Sequence, residues 1–142
     1  MTSQAMGVED LKVFYQEVFA PMILQMQIEP VEILADGAAF LVPTSEFIMR
    51  SGGIVCGQAV ASICDTVGVM ALMAHNETRR MMTTVDMTTH FQRPLFDGQL
   101  DVRASLLSNG RRMATVRIDV RQAGSEKIAA SSTVAYAYVE GG

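Results

Sequence analysis

The sequence predicts an α+β protein in which an antiparallel sheet curls around one long, buried helix. Three observations carry that prediction. The stretch Gly57–His75, about five helical turns, is apolar on nearly all sides, and a helix of that kind has to be wrapped by something. Four later segments have the alternation or the length of strands and supply the wrapping. Asp97-Gly98, Asn109-Gly110 and Ala123-Gly124 stand at the breaks around them as turn signals.

The elements follow in order. Residues 1–9 are polar and rich in small side chains, so they are expected either to be flexible or to cap the first helix. Over 10–26, apolar residues recur at Leu11, Phe14, Val18, Met22 and Met26, a helical spacing that Pro21 is expected to kink or end. Residues 29–34 and 38–43 read as two short strands flanking the turn dipeptide Asp36-Gly37. After the long helix, residues 83–91 set Val85, Met87, Thr89 and Phe91 on one face and Thr84, Asp86, Thr88 and His90 on the other. Residues 100–106 alternate too, and 115–121 oppose Val116, Ile118 and Val120 to Arg117, Asp119 and Arg121. With 128–139 these four strands read as a meander. No repeat, low-complexity tract or linker interrupts the chain, so one domain over 1–142 is expected.

Composition narrows the function classes. The net charge is −4, and the arginine pairs Arg79-Arg80 and Arg111-Arg112 fall at turns rather than in a basic cluster, which argues against a nucleic-acid partner. Nearly half the residues are apolar, a tilt toward burial that suits a protein hiding surface between subunits. Cys56 and Cys64 lie on one helix at a spacing that neither binds zinc nor permits a disulfide, and no secretory pattern opens the chain. A reducing cytoplasm is the expected location. The apolar run at 67–74 reads as core helix rather than membrane span, because the wider stretch contains Gln58, Ser62, Asp65 and several glycines.

The chemistry concentrates on that helix. Asp65 is the only charged residue between positions 51 and 74. A carboxylate in an apolar helix is costly to bury, so its presence points to a function. The turn Gly52-Gly53-Ile54-Val55-Cys56-Gly57 opens the helix, and helix openings offer backbone N–H groups that attract negative charge. A lone acid and an anion site are two halves of a hydrolytic centre.

These residues resemble a known family. Gly53-Ile54-Val55-Cys56-Gly57-Gln58, with Asp65-Thr66 on the helix and Phe91-Gln92-Arg93-Pro94 downstream, is similar to the pattern of hot-dog-fold thioesterases, in particular the phenylacetate-pathway (PaaI-like) acyl-CoA thioesterase branch. The order of elements matches over roughly 29–139. That family usually has histidine where Cys56 stands, glycine where Gln58 stands and asparagine where Arg50 stands; Gly53, Gly57 and Asp65 are retained. The resemblance implies a thioester hydrolase with neither metal nor redox cofactor, acting on an acyl-CoA.

Thioester hydrolysis needs an attacking water or carboxylate, and donors for the oxyanion. Asp65 is the candidate for the first, as general base or direct nucleophile, and the Gly57 N–H for the second. About 12 Å of helix rise separates them, too far for one chain to serve one carbonyl with both. A two-fold dimer with antiparallel helices solves this, and the resemblance implies such dimers with sites across the interface. A homodimer, or a homotetramer as a dimer of dimers, is therefore expected. Arg50 and Arg93 are candidates for CoA phosphates, with Arg50 also able to reach the thioester carbonyl; the alternatives are a solvated loop arginine for Arg50 and a plain edge-strand arginine for Arg93. Cys56 and Gln58 flank Gly57 in the substrate-binding turn, with Cys56 either packed or nucleophilic. Thr84 is a candidate hydroxyl for orienting water or substrate, or a simple cross-strand residue. The eleven methionines either fill core gaps or line an acyl tunnel. A non-catalytic acyl-CoA-binding module is the second reading, favoured by Arg50, Cys56 and Gln58 and opposed by Asp65. A dehydratase ranks last, since no histidine pairs with the acid.

Overall fold

In the computed structural model, residues 6–139 are described. Helix α1 (Val8–Val18) starts after Gly7, whose N–H donates to the Asp10 carboxylate at 3.0 Å. Residues 1–5 of the segment expected to be flexible or capping lie outside the described residues. The predicted first helix is divided at Phe19, and Pro21 opens a separate short helix, α2 (Pro21–Leu24), at the position where its missing N–H costs nothing. Strands β1 (Glu29–Leu34) and β2 (Gly37–Pro43) form the expected hairpin, with Leu34 opposite Gly37. A single 3-10 turn, Glu46–Ile48, leads into a small hairpin absent from the sequence prediction, β3 (Met49–Arg50) and β4 (Ile54–Val55). Its turn uses Gly52 at φ 92° and Gly53 at φ 73°, values that side chains beyond glycine seldom adopt.

Helix α3 (Gly57–His75) has the predicted bounds. It is the one helix among the described residues long and apolar enough to cross a membrane, and most of it is buried against the sheet. Ile63, Cys64, Val67, Met70, Ala71 and Leu72 are fully inaccessible. The remaining strands are β5 (Met82–Phe91), β6 (Gln99–Asn109), β7 (Met113–Gln122) and β8 (Ile128–Tyr138). Together the six long strands make one antiparallel sheet in the order β1-β2-β6-β7-β8-β5. Its inner face, carrying Phe40, Val102, Ile118 and Val134 among others, closes over α3.

Two expectations about this sheet are corrected. The last four strands do not form a meander: β6, β7 and β8 do, while β5 lies at the far edge beside β8. The connection explains it. The Gln92 and Arg93 N–H groups both donate to the Ala129 carbonyl, at 2.8 and 2.9 Å, holding the chain to β8 beyond the strand. Pro94 follows, and no tight turn returns the chain along β6. The alternation assigned to β5 is also broken. Its register passes from Thr84 opposite Tyr136 directly to Asp86 opposite Ala135, leaving Val85 as a bulge, 52% exposed. One extra residue switches faces. Thr84 therefore shares the helix-facing side with Met87, whose partner Val134 is buried, rather than the outer side with Asp86, Thr88 and His90.

Candidate active site

The candidate acid and the candidate oxyanion donor sit at separate places on α3. Asp65 lies mid-helix, half-buried. Thr84, brought inward by the bulge, donates its hydroxyl to the Asp65 carboxylate at 2.6 Å. One carboxylate oxygen is thereby engaged. Charge-assisted bonds of this kind fix the acid's rotamer and are worth roughly twice a neutral one.

Gly57 begins the helix. Cys56 is its N-cap, in extended conformation and with no side-chain bond to the first turn. The leading N–H groups of α3 are thus left without the usual serine, threonine or aspartate cap. The Cys56 N–H is spent on the Ile48 carbonyl at 2.9 Å, and the Val55 N–H bonds the Leu95 carbonyl at 2.8 Å, which ties the helix opening to the segment after β5. The glycine-rich turn read as the helix opening is thus separated from it by β4.

A cavity of about 380 Å³ opens beside Gly57, lined also by Arg50, Val60, Phe91, Arg93 and Leu95, among others. The Phe91 ring would stand 3.5 Å from a Cβ at Gly57, an ordinary contact, so space alone does not demand glycine there. No carboxylate lies among the described lining residues, while two guanidinium groups do. The arrangement favours an anionic ligand. Asp65 and Thr84 do not line this cavity, and neither do Cys56 and Gln58. Gln58 is exposed, and its carbonyl accepts from the Ser62 hydroxyl. Cys56 is half-buried.

A second cavity, of about 330 Å³, lies on the Asp65 side of α3, its lining apolar except for Arg79 and Arg80. Val69 and Met73, one and two turns beyond Asp65 on its face, form the floor; Phe14 and Val18 of α1 and Met81 and Met82 form the walls. Arg79 latches α1 over it, bonding Glu17 at 2.7 Å and stacking 5.2 Å over the Phe14 ring. His75 and His90 stay outside both cavities; His75 donates to the Gly37 carbonyl at 2.9 Å.

Sequence reasoning passed over Tyr136. It is fully buried, and its hydroxyl donates to the Asp65 main-chain carbonyl at 2.7 Å. The signal available was Gly68, an unexplained glycine inside α3, three residues past the acid. Cys64 is inert by contrast. Burial, with the neighbouring Asp65 charge adding to it, pushes its thiol up to about 12. A disulfide reagent at pH 8 is expected to titrate one thiol, Cys56, in the native protein and both after unfolding; two fast native thiols would contradict the burial of Cys64.

Comparison with known proteins agrees with this fold. The thioesterase superfamily profile matches residues 52–129, more than half the chain, spanning the helix opening, α3 and the following strands. A candidate esterase of Thermoplasma acidophilum, Ta0293, is 29% identical over 132 residues, 92% of this chain and 96% of that protein. The thioesterase HI1161 of Haemophilus influenzae superposes with a TM-score of 0.85 at 19% identity, covering 96% of this chain and 93% of that one. A phenylacetic acid degradation-related candidate thioesterase of Ralstonia eutropha gives 0.75 at 22% identity, covering 89% and 98%. These structural likenesses establish the hot-dog fold. The chain belongs to the thioesterase superfamily and is a thioester hydrolase.

Proposed function

We propose that the protein is a cytoplasmic acyl-CoA thioesterase for medium-chain or aryl-acyl groups, active as a homodimer or as a tetramer of two such dimers. One observation carries the reading: the hydroxyl-held acid and the uncapped helix opening lie on the same helix, too far apart to meet within one chain. A two-fold axis beside antiparallel copies of α3 joins Asp65 of one protomer to Gly57 of the other. The outer edge of β5, at the end of the sheet, is a natural place for that pairing.

In this arrangement Asp65 takes a proton from water as the water oxygen bonds to the thioester carbon, or attacks that carbon itself to form an anhydride that water then hydrolyses, freeing the carboxylate and supplying the proton for the thiolate. The Gly57 N–H across the interface stabilises the resulting oxyanion. The C–S bond then breaks, and the departing CoA thiolate takes the proton. Arg50 and Arg93 hold CoA phosphates at the cavity rim, and the apolar cavity over Val69 and Met73 takes the acyl group. Its size is near the lower end of the range for small-molecule sites, about 300–1,000 Å³, which suits a medium chain or an aromatic ring. Cys56 and Gln58 act only through the shape of the turn.

The test is thiol release from a panel of acyl-CoAs, with a complementation experiment to locate the site. Gly57→Pro removes the N–H at a helix position that tolerates proline, and Cys56 already has the extended conformation that proline requires before it. It is expected to fold and to lose about 10²-fold in kcat. Mixing it with Asp65→Asn and allowing subunits to exchange should restore roughly a quarter of wild-type activity, because each mixed dimer has one intact site. No recovery would place both groups in one chain's site. Saturable acyl-CoA binding with no turnover by the wild type would instead favour the binding module.

A further inference from the structure

Tyr136 takes no part in the chemistry above, yet it grips the residue that does. Its hydroxyl bonds the Asp65 main-chain carbonyl from β8. Burial, reinforced by the Asp65 charge, pushes its phenol well above the ordinary tyrosine range, so it remains a donor at any working pH. Gly68 makes the approach possible. A Cβ there would stand 2.1 Å from the Tyr136 hydroxyl and 2.9 Å from Cζ, so any larger residue displaces the ring. Glycine inside a helix is unfavourable relative to alanine, and here the close contact is what it permits.

Tyr136 is also the cross-strand partner of Thr84. Two adjacent residues of the β5–β8 ladder therefore hold one helical residue at two points, Tyr136 at the main chain and Thr84 at the carboxylate. The Val85 bulge follows directly and keeps Thr84 facing inward. The helix itself is compliant in this stretch. The Ser62 and Thr66 hydroxyls bond back to the Gln58 and Ser62 carbonyls at 2.9 and 2.8 Å, a pattern that bends helices and weakens their own ladder.

We infer that Tyr136 is a positioning residue: with Gly68 and Thr84 it forms a clamp across α3, β5 and β8 that sets where the Asp65 carboxylate meets the thioester. The inference rests on the reading of Asp65 as the catalytic acid. Misplacing a reacting group by even 1 Å can cost about 10²-fold in rate. Tyr136→Phe keeps the ring and removes the hydroxyl. It is expected to lower kcat about tenfold or more with KM within about twofold, and to change nothing further in an Asp65→Asn background. Combined with Thr84→Val, the loss should stay close to that of the worse single variant, as for residues acting through one group. Gly68→Ala, which shifts the ring instead, should give the same kcat loss. An unchanged kcat in Tyr136→Phe, or losses that multiply with Thr84→Val, would overturn the clamp.

A structural readout separates this inference from the reading beneath it. In a crystal structure of Tyr136→Phe, the Thr84 Oγ1 to Asp65 Oδ1 distance should exceed hydrogen-bond reach; a distance still near 2.6 Å overturns the clamp. If wild type and Asp65→Asn turn over alike, the catalytic role of Asp65 falls, and the crystallographic comparison still decides whether Tyr136 positions it.

Discussion

Asp65→Asn is expected to lower kcat for acyl-CoA hydrolysis by about 10³-fold or more while leaving the fold intact. Asparagine has the same shape and can still accept the Thr84 hydroxyl, so the position of the side chain survives and only the base or nucleophile is lost. Stability should change little, since the amide keeps the size of the side chain and a bond from the Thr84 hydroxyl. The experiment pairs thiol-release kinetics with a thermal melt. A variant that melts like the wild type and has lost turnover supports the catalytic acid. One retaining most of its turnover would make Asp65 a structural residue, held by Thr84 and Tyr136 for the sake of the helix alone.

Gly37→Ala is expected to be the most destabilising small substitution in the sheet. A Cβ at this position would lie 1.8 Å from the Ala104 carbonyl oxygen and 2.8 Å from its carbon. Both are backbone atoms of the neighbouring strand, so no rotamer change relieves the overlap and β2 has to part from β6. The His75 contact with the Gly37 carbonyl and the Leu106 N–H bond to the Asp36 carbonyl lie at the same corner and would be strained with it. A loss of about 3 kcal/mol or more is expected, a fall in Tm of roughly 10 °C. Urea unfolding gives the value, and a loss below about 1 kcal/mol would show that the strands part easily. Gly57→Ala is the control, because its Cβ meets only the Phe91 ring at ordinary distance.

The sequence was legible where the information is local. The bounds of α3 follow from an apolar stretch with a glycine at its start, and the β1–β2 hairpin follows from Asp36-Gly37. Even there the reason for Gly37 differed. It was read as turn chemistry, whereas the fold needs it for the close approach of two backbones. What was not legible depends on distant pairing. Nothing within residues 82–91 says that this strand will sit against β8, and alternation alone put Thr84 on the wrong face because a bulge leaves no mark in the periodicity. The site divides in the same way. Asp65 and Gly57 announce themselves by charge and by position. Tyr136 reads as one more inward-facing residue of its strand until its hydroxyl is seen against α3. Arg50 and Arg93 share a cavity that only the small β3–β4 hairpin brings together.

The place of β5 in the sheet has a consequence in time. This strand is synthesised before β6, β7 and β8, yet its only neighbour in the sheet is β8. During synthesis the β5 segment must wait, with both edges open, for the strand that will receive it, which is the stage at which nascent chains associate wrongly. Contacts between such distant segments also form slowly. Helical signal should therefore return early in refolding and the Thr84–Asp65 contact late, when β8 docks beside β5. The edge strand that carries Thr84 therefore finds its place only after the last strand of the sheet has been made.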